Sequence, residues 1–107
     1  MSINNNNKAA FKERVLEWAQ KLDVTAASIV LRPMKRKWAS CSTSGRLTFD
    51  AVLPNLPDDL QDYVIVHELL HFRIPNHGKL WKSLMKAHLG EYEHLEEELS
   101  RFASTQA

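Results

Sequence analysis

The chain has 107 residues, of which 44% are hydrophobic and 25% are charged, a composition typical of one small globular domain. Its formal net charge of +1 gives no indication of binding to nucleic acid or to a membrane surface. Cys41 is the single cysteine, which excludes an intrachain disulfide and favours a reducing compartment. No apolar run approaches membrane-spanning length and the N-terminus does not resemble a signal peptide, so we predict a cytoplasmic protein without membrane contacts.

The N-terminal part is predicted to contain a short leader followed by an amphipathic helix. Residues 1–7 include four consecutive asparagines, so we expect a disordered leader there and a single domain over residues 8–107. Asn7 can cap the helix that follows. Between residues 8 and 22 the apolar side chains recur at helical spacing, at Ala10, Phe11, Val15, Leu16 (or Trp18), Ala19 and Leu22.

Three short strands are predicted between residues 28 and 50. The first covers 28–31, is rich in β-branched and aliphatic residues, and is ended by Pro33. The next two, 37–42 and 46–50, flank a turn in which Gly45 supplies the positive φ that a tight hairpin needs. We therefore expect a small antiparallel sheet of about three strands.

The second half of the chain is predicted to be helical. A helix should begin at Pro57 and two following aspartates and end at Ile74, because Pro75 disfavours helical geometry in the residue before it. This helix is apolar nearly all round, as expected for a buried central helix. Further helices are predicted over 79–89, ended by Gly90, and over about 92–102. The predicted fold class is α+β, with the sheet packed on the central helix and its flanking helices.

The central helix contains the sequence His67-Glu68-Leu69-Leu70-His71, which has the form H-E-x-x-H. Residues four apart share one helix face, so both imidazoles can reach one metal ion, while Glu68 points about a quarter turn away toward a water bound to that ion. An unpaired polar group in so apolar a segment costs about 1–3 kcal/mol, whereas zinc binding returns about 10 kcal/mol. The motif therefore predicts zinc ligands at His67 and His71 and a general base at Glu68.

A catalytic zinc ion usually has a third protein ligand and one open position. His77 is the strongest candidate, because it follows a Pro-Asn pair where the chain can turn back, at the distance found in the metzincin pattern. A glutamate on a later helix, Glu91 or Glu93, is the alternative ligand. Cys41 is a weaker candidate that would keep the site latent. Arg73 and Tyr92 are candidates for stabilising an oxyanion.

Two blocks of the sequence resemble the YgjP-like metallopeptidases, a family of small zinc peptidases related to SprT-like proteins. The blocks are MKRKWASCS at 34–42 and YVIVHELLH at 63–71, which continues in PNHGKLW at 75–81. The resemblance covers about residues 28–90, with Ala39 where the family usually has glycine. It implies a minimal zincin-like peptidase domain that acts on a peptide or protein substrate. It also implies three histidine ligands, matching His67, His71 and His77, and a catalytic carboxylate at Glu68.

Charge is distributed unevenly along the chain. The basic segment 32–46 contains five cations and the acidic segment 91–98 contains five glutamates, which we interpret as two solvated faces of opposite sign. The basic segment also supports an alternative function, because SprT-like relatives act on DNA-associated proteins. The primary prediction is zinc-dependent hydrolysis of peptide bonds. The alternatives are a zinc hydrolase of a phosphoester or nucleotide substrate and a zinc-stabilised module that binds nucleic acid.

Overall fold

The computed structural model describes residues 3–35, 37–74 and 76–106, which form four α-helices and a three-stranded sheet. The predicted α+β class is confirmed. None of the helices in these ranges is both long enough and apolar enough to cross a membrane. The elements in chain order are α1 (Ile3–Lys21), β1 (Ser28–Arg32), β2 (Ala39–Cys41), β3 (Arg46–Asp50), a 3₁₀ turn (Leu53–Asn55), α2 (Asp58–Leu70), α3 (Lys79–Leu89) and α4 (Glu93–Gln106).

Helix α1 begins earlier than the sequence predicts. Ile3 to Asn7, within the segment expected to be a disordered leader, belongs to the helix, while residues 1 and 2 lie outside the described residues. Asn7 therefore does not cap the helix; its Nδ2 donates to Oδ1 of Asn55 at 2.8 Å. This partner comes from a distant part of the chain, which local composition does not reveal. The buried face of α1 consists of Phe11, Val15 and Ala19, and Leu22 directly after the helix is also buried. The centroid of the Phe11 ring lies 5.1 Å from that of Phe49.

The sheet is mixed, with strand order β1-β3-β2, so the prediction of a purely antiparallel sheet is wrong. The hairpin is as predicted: β2 and β3 are antiparallel, with Ser40 opposite Thr48, and Gly45 has φ +93°. Strand β1 runs parallel to β3, with Val30 opposite Thr48. The chain reverses between successive strands, so β1 and β3 point the same way. Because β3 rather than β2 is the central strand, β1 and β3 become parallel neighbours.

Helix α2 is the centre of the fold, as its apolar sequence predicts. It lies against α1, α3, α4 and β2, and it begins after Pro57 with two acidic residues in its first turn. Gln61 is its buried polar residue, and its Nε2 donates to the backbone oxygens of Pro54 (3.3 Å) and Leu56 (2.8 Å). The preceding loop is thus fixed to the helix. The buried apolar residues of α2 are Leu60, Tyr63, Val64, Ile65, Val66, Leu69 and Leu70.

The regular part of α2 ends at Leu70, four residues before the predicted end at Ile74. The backbone N–H groups of His71, Phe72 and Arg73 each donate to the carbonyl three residues earlier, at 3.0–3.1 Å. Such bonds tighten the last turn of a helix and change its direction. The chain thereby leaves the helix axis directly after the second histidine of the H-E-x-x-H motif.

Candidate metal centre and cleft

Three histidines converge at the C-terminal end of α2. His67 and His71 lie one turn apart on this helix, with ring centroids 5.0 Å apart. His77 comes from the segment that follows the helix, and its ring centroid lies 5.0 Å from that of His67 and 4.8 Å from that of His71. Each histidine contributes one ring nitrogen to a group in which the three nitrogens all lie within 4.8 Å of one another. The structure thus brings together the three residues that the sequence predicts as ligands.

The geometry of these histidines and the protonation state of His67 fit a metal ion such as zinc. The Nε2 atoms of His71 and His77 lie 3.1 Å apart, and two nitrogens bound tetrahedrally to one zinc ion lie about 3.3 Å apart. Burial, and then the neighbouring histidines His71 and His77, lower the pKa of His67 to about 4. His67 is therefore neutral at physiological pH, which is the form that can donate a lone pair to a metal.

Trp81 packs against all three histidines. Its ring centroid lies 4.9 Å from that of His67, 4.5 Å from that of His77 and 6.3 Å from that of His71, on which it is stacked. Trp81 is 4% exposed, and its Nε1 has no hydrogen-bond partner among the described residues. Trp81 is thus a residue of the core whose ring supports the candidate ligands.

Glu68 lies beside the histidines on the side of α2 that faces β2. Burial raises the pKa of its carboxyl group, and Lys37, a hydrogen bond from the Cys41 thiol and His77 oppose that shift. Burial, followed by the Glu68 carboxylate, raises the pKa of the Cys41 thiol. The Glu68 carboxylate is thus held in a partly desolvated position, with a cation and a thiol donor next to it, where it can exchange a proton.

A cavity of about 420 Å³ opens beside His67 and Glu68, a volume in the range of ligand-binding clefts. We refer to it as the cleft. Its floor is α2, one wall is the segment entering β2, and the opposite wall is α4. The lining residues are Lys37, Trp38, Ala39, Tyr63, Val64, His67, Glu68, Glu96, Leu99 and Ser100.

The other candidates from the sequence are not part of the group of metal ligands. Among the described residues, the group able to hold a metal consists of the three histidines and includes neither Glu91 nor Glu93, nor Cys41. Arg73 is turned toward the loop after α1, where its Nη2 donates to the backbone oxygen of Asp23 at 2.7 Å. Neither Arg73 nor Tyr92, the two candidates for stabilising an oxyanion, lines the cleft.

Sequence analysis missed several residues of the cleft. Tyr63 and Val64 precede His67 and Glu68 by one helical turn, so their spacing places them on the same face, but their apolar character favoured a core role. Both are in fact buried and also line the cleft. Glu96 has no local sequence feature that distinguishes it from the neighbouring glutamates of α4.

Comparison with known proteins agrees with this architecture. The family model described as "YgjP-like, metallopeptidase domain" matches residues 2–102. The uncharacterized protein MJ0123 of Methanocaldococcus jannaschii is 34% identical over 94 residues, which are 83% of this chain and 86% of that protein.

Two solved structures are also similar. The metallopeptidase zymogen of Methanocaldococcus jannaschii jannalysin has a TM-score of 0.74 at 30% identity, covering 89% of this chain and 96% of that one. The metallopeptidase zymogen of Pyrococcus abyssi abylysin has a TM-score of 0.71 at 20% identity, covering 89% and 93%, and supports the fold alone. The family resemblance of the two sequence blocks is confirmed. Because the family model matches nearly the whole length of this chain, the chain belongs to the YgjP-like metallopeptidases and is a peptidase.

Proposed function

We propose that this metallopeptidase uses zinc, held by His67, His71 and His77, and that Glu68 is its general base. The observation that carries the proposal is the convergence of three ring nitrogens within 4.8 Å at the edge of the cleft that Glu68 also lines. Three imidazoles are a ligand set typical of catalytic zinc. When bound, the ion supplies Lewis-acid polarisation of the scissile carbonyl and of the attacking water.

The protein's own contribution to the reaction is positioning and proton transfer. A carboxylate oxygen of Glu68 accepts a proton from the attacking water and then delivers it to the nitrogen of the leaving amine. Burial raises the pKa of this carboxyl group, which makes the second transfer easier near neutral pH. The wall formed by the segment entering β2 and the wall formed by α4 confine the substrate over the two motif residues His67 and Glu68.

The decisive experiment replaces Glu68 with glutamine. The variant should keep its zinc, because the three histidines are unchanged, and should lose activity on a peptide library by about 10²–10⁴-fold. Metal content is measured by mass spectrometry and cleavage by product analysis. Glu97→Gln is the matched control, since this side chain on α4 is 74% exposed and does not line the cleft. Full activity in Glu68→Gln would refute the mechanism.

Metal removal distinguishes the proposal from a zinc-stabilised binding module. A catalytic ion in this site should leave a folded, inactive chain when chelated, because the core of α1, α2 and the sheet is apolar and does not depend on the histidines. A structural ion would unfold the chain on removal. Circular dichroism before and after chelation measures this. Turnover of phosphoester substrates instead of peptides, abolished by the same Glu68→Gln change, would favour the alternative hydrolase.

A further inference from the structure

The cleft has walls of opposite charge. Lys37 belongs to the basic segment 32–46 and lies on the wall that leads into β2, whereas Glu96 belongs to the acidic segment 91–98 and lies on α4. The two charged segments were interpreted above as two solvated faces. In the structure, each segment contributes one charged side chain to the same cavity.

These two charges are not equally compensated. Lys37 and Glu68 line the same cavity, so the positive charge has a negative neighbour in the cleft. Glu96 takes part in none of the salt bridges formed among residues 3–35, 37–74 and 76–106. The α4 side of the cleft consequently carries a negative charge that is available to a ligand.

Apolar side chains lie next to this carboxylate, which is itself exposed to solvent. Leu99 lies one turn after Glu96 on α4, and the floor below it is formed by Tyr63 and Val64 of α2. Glu96 and Tyr63 line the same cavity from α4 and α2, respectively. Since Tyr63 packs against His67, with ring centroids 5.7 Å apart, this part of the cleft adjoins the candidate metal centre.

We propose that the space between Tyr63, Leu99 and Glu96 is a subsite for a basic side chain of the substrate, next to the scissile bond. This inference rests on the proposed peptidase activity. The aliphatic stem of an arginine or lysine would cover Leu99, and the cation would pair with the Glu96 carboxylate. A guanidinium also presents two parallel N–H donors to the carboxylate, so arginine should bind better than lysine. An acidic side chain would be repelled by Glu96.

The test measures peptide binding separately from cleavage. Zinc-loaded Glu68→Gln protein is titrated with fluorescent peptides of one backbone sequence in which arginine, lysine, leucine or glutamate is placed in turn at each position. At one position, arginine and lysine should bind about fivefold tighter than leucine, the scale of a partly exposed ion pair, and glutamate should bind most weakly. The preference should shrink at high salt.

Substitutions at Glu96 assign the preference to this residue. Adding Glu96→Gln to that background should abolish the preference for basic over apolar side chains, and adding Glu96→Lys should reverse it toward glutamate. Glu97→Lys is the matched control, because it makes the same charge change on α4 outside the cleft, and it should leave the preference intact. Equal binding of arginine and leucine peptides, or an unchanged preference in Glu96→Lys, would overturn the inference.

The outcomes also separate this inference from the proposed function. If the wild-type chain cleaves peptides without any charge preference at the neighbouring positions, the subsite is refuted and the peptidase mechanism stands. If the Glu68→Gln protein binds basic peptides selectively through Glu96 but the wild-type chain cleaves none of them, the subsite stands and the proposed reaction is refuted.

Discussion

Trp81 should have a measurable effect on metal affinity beyond its effect on stability. It is 4% exposed and lies within 6.3 Å, centroid to centroid, of all three histidine rings. Removing a buried tryptophan side chain costs about 3–5 kcal/mol of folding free energy. Because Trp81→Ala also removes the surface on which His67, His71 and His77 pack, we expect zinc affinity to fall by about tenfold, the lower end of the effect of residues that support metal ligands.

Two further variants isolate this effect. Met85→Ala is the matched control: Met85 lies one turn later on α3 and is fully buried, so its loss should cost about 2–5 kcal/mol while zinc affinity stays unchanged. Trp81→Phe keeps an aromatic ring and removes an Nε1 group that has no hydrogen-bond partner in the described part of the chain, so affinity should stay within about threefold of the wild type.

The measurements are urea unfolding of the metal-free proteins and zinc competition with a chromogenic chelator. The competition is carried out where circular dichroism shows every variant to be folded, so that unfolding does not contribute to the apparent affinity. If Trp81→Ala and Met85→Ala lower stability alike and both keep wild-type zinc affinity, Trp81 only fills the core and the reasoning fails.

Two other substitutions test how the scaffold is held together. Oδ1 of Asp62 on α2 accepts hydrogen bonds from Arg14 Nη1 and Trp18 Nε1 on α1, both at 2.8 Å. Asp62→Ala removes the acceptor from both half-buried donors, so we expect a loss of about 1–3 kcal/mol in urea unfolding; a loss below about 0.5 kcal/mol would show that these bonds add nothing. Gly45→Ala should lower the free energy of unfolding by about 1–2 kcal/mol, because φ is +93° and the new Cβ would lie 3.3 Å from the Cβ and the backbone nitrogen of Ala27. Gly90→Ala, with φ +71° and open space around the new Cβ, should lower the free energy of unfolding by less. If both variants lose the same amount, the positive φ and not the contact with Ala27 is the cause.

The sequence predicts the central helix and the meeting of the three histidines well, because these features depend on short-range chemistry. Apolar residues on every side of α2 require neighbours on every side, and the spacing of His67 and His71 follows from the helical repeat. The Pro-Asn pair predicts a turn that returns His77 to them, although the regular helix already ends at Leu70, four residues before the predicted end. The role of these residues as zinc ligands stays a prediction.

The order of the strands and the walls of the cleft are harder to predict. Alternation and turn residues identify the β2–β3 hairpin, but they do not show which edge of β3 receives β1. Glu96 lies in a run of glutamates whose local environments are alike in sequence. Only the packing of α4 on α2 distinguishes it, since that packing turns Glu96 toward the cleft and leaves Glu97 74% exposed.

The arrangement of motif and cleft along α2 has a consequence for redesign. Tyr63 and Val64 line the cleft one turn, about 5.4 Å, before His67 and Glu68. Residues of the cleft floor and residues proposed for the chemistry therefore occupy neighbouring positions of one helix. The two floor residues differ in how far they can be changed without disturbing the chemistry. The Tyr63 ring packs on His67, so its replacement disturbs a candidate ligand. Val64 also lines the cleft and carries no ring to pack on His67, so it is the better position for reshaping substrate preference while the metal centre is kept.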